Sequence, residues 1–308
     1  MNWNFDSYAT HLLIATLLLL SVSRTTTLAQ EASPFRWKLQ QDNLLTYELQ
    51  QKTTVSSEID GRGQQTEITL SMFMDAKVLD WQDEVASIEQ SITRITMKMS
   101  LPEAGGIKTI ELDTGSDEKQ RGLADRLLKQ IKPLIGNTFT VKMTSRGEIV
   151  AIEIPKATMD ALREAPSSMQ LRKALTADAL KQMFGDTAVV FPDQALAVNE
   201  SWQSTDSVNN AIGTIDRKHI YTNDGMKQVG DKSVVQISMK TEITVKQPGE
   251  NDAQVDDFQG SGLIWFDPGE GIVTGGEIQN QMKTSRTYRD KVIHTTVDNS
   301  IVMKVARK

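Results

Sequence analysis

The sequence predicts an α+β fold in which two antiparallel β-meander halves, built as curved sheets, are joined and partly covered by a helical middle segment. Two observations predict the sheets: long segments in which apolar and polar residues alternate, and glycine-containing turns between those segments. A third observation predicts the helices, because apolar residues recur every three or four positions between the two sets of strands. The order strands, helices, strands is typical of an α+β protein dominated by antiparallel sheet.

The first half begins with long alternating segments. A segment up to residue 59 reaches turn residues at 60–63, and apolar residues then occupy every second position of residues 68–74. Two further segments, 85–101 and 107–112, follow. Such alternation places the apolar side chains of an antiparallel sheet on one face. We therefore expect a meander of one-sided strands.

The period of the apolar residues changes after residue 115. Ser116 is a candidate helix N-cap, and a set of apolar residues at helical spacing follows it. These residues are Leu123, Leu127, Ile131 and Leu134. Pro133 is expected to kink or end this helix. After a short hairpin at Gly147, a second helical stretch is predicted over residues 156–184, with a break at Pro166.

The second half again alternates, most regularly over residues 235–245. The hairpin at residues 261–273 turns at Asp267-Pro268-Gly269, where Gly269 is expected to supply the positive φ of a type II turn. A final strand places Ile301, Met303 and Val305 on its inner face.

The first 29 residues are predicted to be a signal peptide. Residues 12–22 form an apolar run that is too short to cross a bilayer comfortably, and small residues at Thr27 and Ala29 favour cleavage after Ala29. The segment before the run lacks Lys and Arg, so retention as an anchor stays open. We expect export to the periplasm or the extracellular space, with no membrane span after cleavage. The mature chain divides into an N-terminal β-meander half with helices, residues 30–188, and a C-terminal antiparallel half, residues 189–308.

The composition argues against several classes of site. The chain has no cysteine and thus no disulfide or thiolate site, and its net charge of −6 disfavours nucleic acid as a partner. His219 and His294, the two histidines that remain after cleavage, lack the local spacing of metal ligands. No phosphate-binding loop or dinucleotide fingerprint is present. The sequence thus predicts no metal, no cofactor and no nucleic-acid partner.

Catalytic motifs are equally scarce. Ser261 lies between two glycines but not in a nucleophile elbow, and it is interpreted as part of a flexible strand entry. Acidic residues around the hairpin, among them Asp256 and Asp267, could act as paired carboxylates in a hydrolase. Turn and edge-strand solubility explains the same acids more simply. A hydrolase using acids near Asp256 and Asp267 is kept as one alternative.

Methionine provides the main indication of binding. Thioether side chains are flexible and polarisable, so a methionine-lined sheet suits variable apolar ligands, although the same residues also fill gaps in ordinary cores. The predicted lining consists of Met72, Met74, Met97, Met99, Met143, Met239 and Met303. The leading hypothesis is a non-enzymatic exported protein that binds an apolar small molecule or another envelope component on a helix-covered curved sheet. A second alternative is an assembly module that acts through protein contacts at its sheet edges.

The chain also resembles an uncharacterised family of secreted bacterial β-rich proteins, frequent in planctomycete-type bacteria. The likeness lies in Trp37 and Trp202, each of which opens a half, and in the Gly-Leu-Ile-Trp-Phe-Asp-Pro-Gly-Glu-Gly-Ile-Val hairpin at residues 262–273. Such families place glycine in the turn before the second tryptophan, where this chain has Asn199-Glu200-Ser201. These motifs are structural, so the resemblance implies a β-rich exported protein and no catalytic residue. More distantly, the layout is similar to envelope half-barrel carriers of lipoproteins and lipids, which implies an apolar ligand.

Overall fold

Long β-strands make up most of the structure, a computed structural model that describes residues 35–103, 106–156, 159–160, 189–210, 212–248, 253–288 and 290–308. The strands are β1 (Leu44–Ile59), β2 (Arg62–Gln82), β3 (Val85–Glu103), β4 (Gly106–Asp113), β5 (Thr138–Thr144), β6 (Ile149–Glu153), β7 (Ser201–Asn210), β8 (Gly213–Val229), β9 (Lys232–Pro248), β10 (Gln254–Asp267), β11 (Ile272–Tyr288) and β12 (Lys291–Arg307). A helix, α1 (Leu123–Ile131), and a 3-10 turn, Lys132–Leu134, lie between β4 and β5.

All twelve strands belong to one sheet, in the order β6-β5-β3-β2-β1-β12-β11-β10-β9-β8-β7. The remaining strand, β4, pairs with the C-terminal part of β3, from Thr96 to Glu103. Every ladder between these strands is antiparallel. The first and last strands are neighbours, in a ladder that runs from Leu45–Arg307 to Ile59–Ile293. Strands from both predicted halves are therefore joined directly through β1 and β12.

The predicted α+β class is wrong, because the described part of the chain is almost entirely β. No helical middle segment joins two sheets there; α1 has nine residues. Ser116 does not cap it: the Ser116 hydroxyl accepts a hydrogen bond from the Glu118 N–H instead, and the helix begins only after Gly122. Pro133 lies in the 3-10 turn that ends the helical segment.

The second predicted helical stretch falls mostly outside the described residues. Lys156, Met159 and Asp160 are helical, whereas residues 161–188 are not described. The predicted signal peptide lies outside the described residues as well and stays a prediction. Among the residues described, none of the helices combines the length and the hydropathy needed to span a bilayer.

The sheet curls so that its inner face encloses one core. Val78 and Ile88, from β2 and β3, belong to the same buried cluster as Val235 and Ile237, from β9, although these strands are far apart in the sheet. Alternation fixes which side chains face inward. The pairing register of the strands shifts between Phe73 and Met74 and between Asn223 and Met226, and irregularities of this kind increase the local twist. The result is a concave apolar face.

The segment just before β7 closes one end of the core. Phe191 is 0% exposed, and its ring lies 4.8 Å from that of Phe266 and 5.7 Å from that of Phe35. Arg146 Nε donates a hydrogen bond to the Phe191 carbonyl, and Trp202 Nε1 donates one to the Val190 carbonyl. Residues just beyond the predicted division at 188 and 189 are thus part of the core.

The turn between β10 and β11 differs from the predicted type II turn. Gly271, not Gly269, has the positive φ, at 65°. The Asp267 carbonyl accepts a hydrogen bond from the Gly271 N–H, and the Asp267 carboxylate accepts from the Gly269 and Glu270 N–H groups. The carboxylate therefore organises a longer turn than the Pro-Gly pair alone predicts.

Candidate functional site

The concave face holds a cavity of about 360 Å³. This volume lies within the range of small-molecule sites, about 300–1,000 Å³. The wall includes residues of β1, β2, β3, β5, β6, β8, β9, β10, β11 and β12. Its apolar lining comprises Trp37, Tyr47, Leu49, Leu70, Met72, Met74, Ile88, Val141, Met143, Ile149, Met239, Phe258, Val273, Ile278, Ile301, Met303 and Val305.

Five of the seven predicted methionines line this cavity. They are Met72, Met74, Met143, Met239 and Met303. Met97 and Met99 lie outside the lining, on the part of β3 that pairs with Leu112 and Ile110 of β4. The structure thus gathers most of the predicted set at one place, and their role in binding stays a prediction.

The end of α1 and the 3-10 turn cover one part of the concave face. Ile131 and Leu134 pack against the buried cluster that contains Met72, Met74 and Ile95. The exposed Asp125 and Lys129 form an i,i+4 ion pair on α1, with Nζ 2.8 Å from Oδ2. Only the end of this short helix therefore packs on the inner face of the sheet, in place of the predicted helical cover.

A polar belt crosses the apolar lining; we define it as Gln51, His219, Thr241, Asn280 and Asn299. The strand registers align Thr241 with His219 and Asn280 with Asn299. His219 Nδ1 lies 3.0 Å from Thr241 Oγ1, and Gln51 Nε2 donates a 2.9 Å hydrogen bond to Asn299 Oδ1. One end of the cavity is therefore polar, and the interior is apolar.

Arg217 lies next to the belt and also lines the cavity. Its guanidinium donates two hydrogen bonds to Asp206, Nε to Oδ1 at 2.8 Å and Nη2 to Oδ2 at 2.5 Å. The Arg217 side chain is 16% exposed and that of Asp206 is 39% exposed, so the guanidinium is largely removed from solvent and the carboxylate is not. Because the bidentate carboxylate compensates the guanidinium charge, Arg217 adds little net positive charge to the cavity.

A wider cleft of about 1060 Å³ adjoins the cavity. The two spaces share Thr241, Phe258, Asn280 and Asn299 in their linings. The charged residues of the cleft are Lys52, Lys240, Glu242, Asp256, Asp257 and Asp298. The polar belt therefore lies where the apolar cavity meets a charged outer space.

Two tyrosines, the partly buried Tyr47 and the buried Tyr221, report the low polarity of the interior. Burial raises the pKa of Tyr47, which lines the cavity, to about 12. Burial also raises the pKa of Tyr221 to about 12; its ring stacks on Trp202 with centroids 5.1 Å apart. Both phenols are disfavoured as anions because the surrounding protein solvates charge poorly.

The structure does not bring the predicted acidic pair together. Asp256 and Asp267 lie eleven positions apart on β10, a separation of about 36 Å at about 3.3 Å per residue. Asp256 accepts a hydrogen bond from Ser285 Oγ, whereas Asp267 organises the β10–β11 turn. Ser261 is exposed. These residues do not form a paired-carboxylate site, in which the two groups lie about 5–10 Å apart.

The histidines are also separate from any metal-like cluster. His219 is hydrogen-bonded in the polar belt, and His294 is exposed on β12. In the part of the chain that the structure describes, no three His, Asp or Glu side chains are grouped as metal ligands would be.

Sequence reasoning missed the polar belt, although a signal was present. Thr241 interrupts the apolar alternation between Met239 and Ile243, and Asn280 does the same between Ile278 and Met282. A polar residue at an inward-facing strand position must find a partner or face a cavity, because burial without a hydrogen bond is costly. Such interruptions on β9 and β11, which flank β10, therefore identify belt positions.

Comparison with protein families matches residues 83–263 to a family described as of unknown function, DUF6263. No curated protein matches the sequence significantly. Among solved structures, lipovitellin, described for its lipid–protein interactions, is similar over 87% of this chain and 26% of its own, with 11% identity and a TM-score of 0.43. The chain thus spans about a quarter of the lipovitellin chain that it matches.

Two bacterial structures are also similar. An exported protein with a YmcC-like fold from Bacteroides fragilis matches over 86% of this chain and 98% of its own, with 8% identity and a TM-score of 0.23. A DUF1329 family protein from Desulfovibrio piger matches over 84% and 83%, with 7% identity and a TM-score of 0.14. At TM-scores this low, none of the three likenesses supports an inference about function.

Proposed function

We propose that this chain, which belongs to DUF6263, binds an apolar molecule in the concave cavity. The proposal comes from the geometry, because the family is of unknown function and membership in it assigns no activity. The prediction of an uncharacterised β-rich family is confirmed. The observation that carries the proposal is the cavity itself: apolar, of ligand size, and walled by both ends of a curled sheet.

The size of the cavity distinguishes a binding site from an ordinary core. Packed interiors leave few voids larger than one water molecule, which occupies about 30 Å³. The cavity, at about 360 Å³, is much larger, and gap-filling by methionine has left it open. Five methionines in the wall can adjust their rotamers to ligands of different shape.

We further propose that the protein acts after export. The apolar run at residues 12–22 and the small residues before Gln30 support a cleaved signal peptide. A protein of this kind would hold or carry its apolar ligand through an aqueous compartment. This role requires burial of the ligand and no reaction.

Titration of the mature chain with N-phenyl-1-naphthylamine, a neutral apolar fluorophore, tests the proposal. We expect saturable binding with enhanced fluorescence. Leu49→Trp places a large ring in the cavity wall and should weaken binding by at least about tenfold, because the space for the probe is lost.

Gln50→Trp is the matched control, since it introduces the same side chain at the next, exposed position of β1, on the opposite face. It should leave probe binding unchanged. Absence of saturable binding to the wild type, or equal weakening by both variants, would contradict the proposal. Circular dichroism of both variants checks that the sheet has formed.

The assembly-module alternative stays a prediction. The edge strands of the described sheet are β4, β6 and β7, and a partner of that kind would pair with one of them. Crosslinking in the native envelope distinguishes the two functions, because an assembly factor gives a stable protein adduct and a carrier gives co-purifying lipid.

A further inference from the structure

We propose that the ligand is an amphiphile whose head group lacks negative charge and donates hydrogen bonds to the polar belt, while its apolar chain lies in the cavity. This inference rests on the proposed function and specifies the ligand class. It follows from the order of the two spaces, from an unpaired amide oxygen, and from the charges of the outer cleft.

The two spaces impose a direction on the ligand. Thr241, Asn280 and Asn299 belong to the linings of both, so they lie at the junction of the apolar cavity with the charged cleft. Thr241 and Asn299 already have partners in the protein, His219 and Gln51, whereas Asn280 Oδ1 has none. A purely apolar ligand would leave that oxygen without a partner, whereas a polar group at one end of the ligand satisfies it. The molecule that fits is apolar along its chain and polar at one end.

Asn280 indicates what the polar end must offer. Its Oδ1 atom is buried and has no hydrogen-bond partner in the protein. Gly260 lies opposite, and a Cβ atom there would come within 2.9 Å of Asn280 Oδ1, so the glycine makes room for the amide. The terminal torsion of asparagine is broad, and its rotation presents the oxygen to a donor at the junction. A hydroxyl, amide or ammonium group is such a donor.

A second amide faces the same cavity from the opposite wall. Gln90 is 8% exposed, lines the cavity, and its Oε1 atom likewise has no partner. Unpaired buried acceptors are uncommon in folded proteins, and each is costly until a donor arrives. Three buried atoms of the described lining have no partner: Asn280 Oδ1 and Gln90 Oε1, which are acceptors, and Trp37 Nε1, which is a donor. Of the three residues, Asn280 is the one that lies at the junction with the outer cleft, so the head group should carry a donor.

The charges of the outer cleft disfavour an anionic head group. Among the described residues that line it, four are acidic (Glu242, Asp256, Asp257 and Asp298) and two are basic (Lys52 and Lys240). Lys240 Nζ lies 3.0 Å from Glu242 Oε1, and Lys52 Nζ lies 3.0 Å from Glu67 Oε2, so both cations are already paired. Asp257 is paired as well, with Lys283 Nζ at 3.3 Å. Asp256 and Asp298 form no ion pair with a described residue and accept hydrogen bonds from the neutral Ser285 and Gln281, so they carry the excess charge of the cleft. A carboxylate or phosphate head group would therefore meet excess negative charge.

Competition with N-phenyl-1-naphthylamine on the mature chain tests this inference. The competitors are monolauroylglycerol, laurate and dodecylammonium, which have the same chain length. Each is used below its critical micelle concentration. We expect monolauroylglycerol to displace the probe at a concentration at least about tenfold lower than laurate, because laurate lacks a donor and is repelled. Dodecylammonium distinguishes a cationic donor from an uncharged one. Displacement of the probe by monolauroylglycerol or by dodecylammonium at a lower concentration than laurate requires supports the inference.

Laurate binding as well as or better than both donors would overturn the inference alone. Probe binding that no competitor reverses would also overturn it and leave the cavity as a site for purely apolar ligands. Failure of the probe itself to bind would contradict the proposed function as well. The outcomes therefore separate the two proposals.

Two sets of variants provide independent readouts. Asn280→Leu should weaken monolauroylglycerol about three- to tenfold relative to laurate, because laurate has no donor from which the Asn280 oxygen could accept a hydrogen bond. Asp256→Asn with Asp298→Asn should strengthen laurate relative to monolauroylglycerol. These two acids accept hydrogen bonds from Ser285 Oγ and Gln281 Nε2, which an asparagine oxygen can also accept. If Asn280→Leu does not fold, the charge variants still decide: an unchanged laurate-to-glyceride ratio contradicts the inference.

Discussion

Replacement of Phe191 by alanine tests how the closed end of the cavity is built. Phe191 is 0% exposed and packs edge-on against Phe266 at 4.8 Å and tilted against Phe35 at 5.7 Å. Truncation of a buried phenylalanine costs about 3–5 kcal/mol, which includes the lost aromatic pairs and the void left behind. For a domain of this size the loss corresponds to a fall in Tm of about 6–20 °C.

Phe73→Ala is the matched control for this variant. Phe73 is half-buried, and its ring lies 5.8 Å from the Arg94 guanidinium rather than in the main core. We expect a loss of only about 1 kcal/mol. Urea unfolding followed by circular dichroism measures both variants. If Phe191→Ala costs no more free energy of unfolding than Phe73→Ala, residues 189–193 do not close the core and the assignment is wrong.

The remaining predictions concern backbone strain and alkaline stability. Gly147→Ala should lower the free energy of unfolding by about 2–4 kcal/mol, because φ is +91° and a Cβ would lie 2.4 Å from the Val189 carbonyl oxygen. Gly61→Ala, at φ +74° with nothing within 4 Å, should cost only about 1 kcal/mol; equal losses in urea unfolding would refute the close contact. The pKa of Tyr47 and that of Tyr221 are raised to about 12, above the ordinary 10, so the stability that their neutral forms provide is intact below about pH 10 and is lost as pH rises towards 12. The loss of unfolding free energy reaches about 2.7 kcal/mol per tyrosine. Tyr47→Phe should abolish the part of this alkaline loss that Tyr47 causes. Tyrosinate absorbance that rises fully near pH 10 in the folded protein would contradict the prediction.

The strands were predictable from the sequence, whereas their partners were not. Alternation over residues 68–74 and 235–245 correctly gave the inward faces of β2 and β9. Alternation carries no information on which strands pair, and the ladder between β1 and β12 joins segments about 250 residues apart. The two predicted β-halves therefore belong to one sheet, a point that the sequence left open. The helical period after residue 115 was real, but it formed only the nine residues of α1.

The candidate site was partly predictable. The sequence predicted Met72 and Met239 as lining residues, but it did not show that the two strands, which are distant in the sheet, face one common cavity. Curvature, which brings them to one cavity, depends on register shifts and on the closing segment at Phe191, and neither is visible in a periodic pattern. Asn280 required the structure as well, because only the register shows that it lies opposite Gly260 and beside Asn299.

Quenching of Trp37 by a monoacylglycerol that carries bromine at the end of its chain tests the central claim most directly. Trp37 is the one tryptophan in the described lining of the cavity, so a chain inside the cavity must approach its indole ring. We expect saturable quenching of tryptophan fluorescence in the mature protein, and we expect Trp37→Phe to bind the ligand with that quenching lost. Binding without quenching in the wild type, or quenching that persists in Trp37→Phe, would place the chain elsewhere and contradict the account.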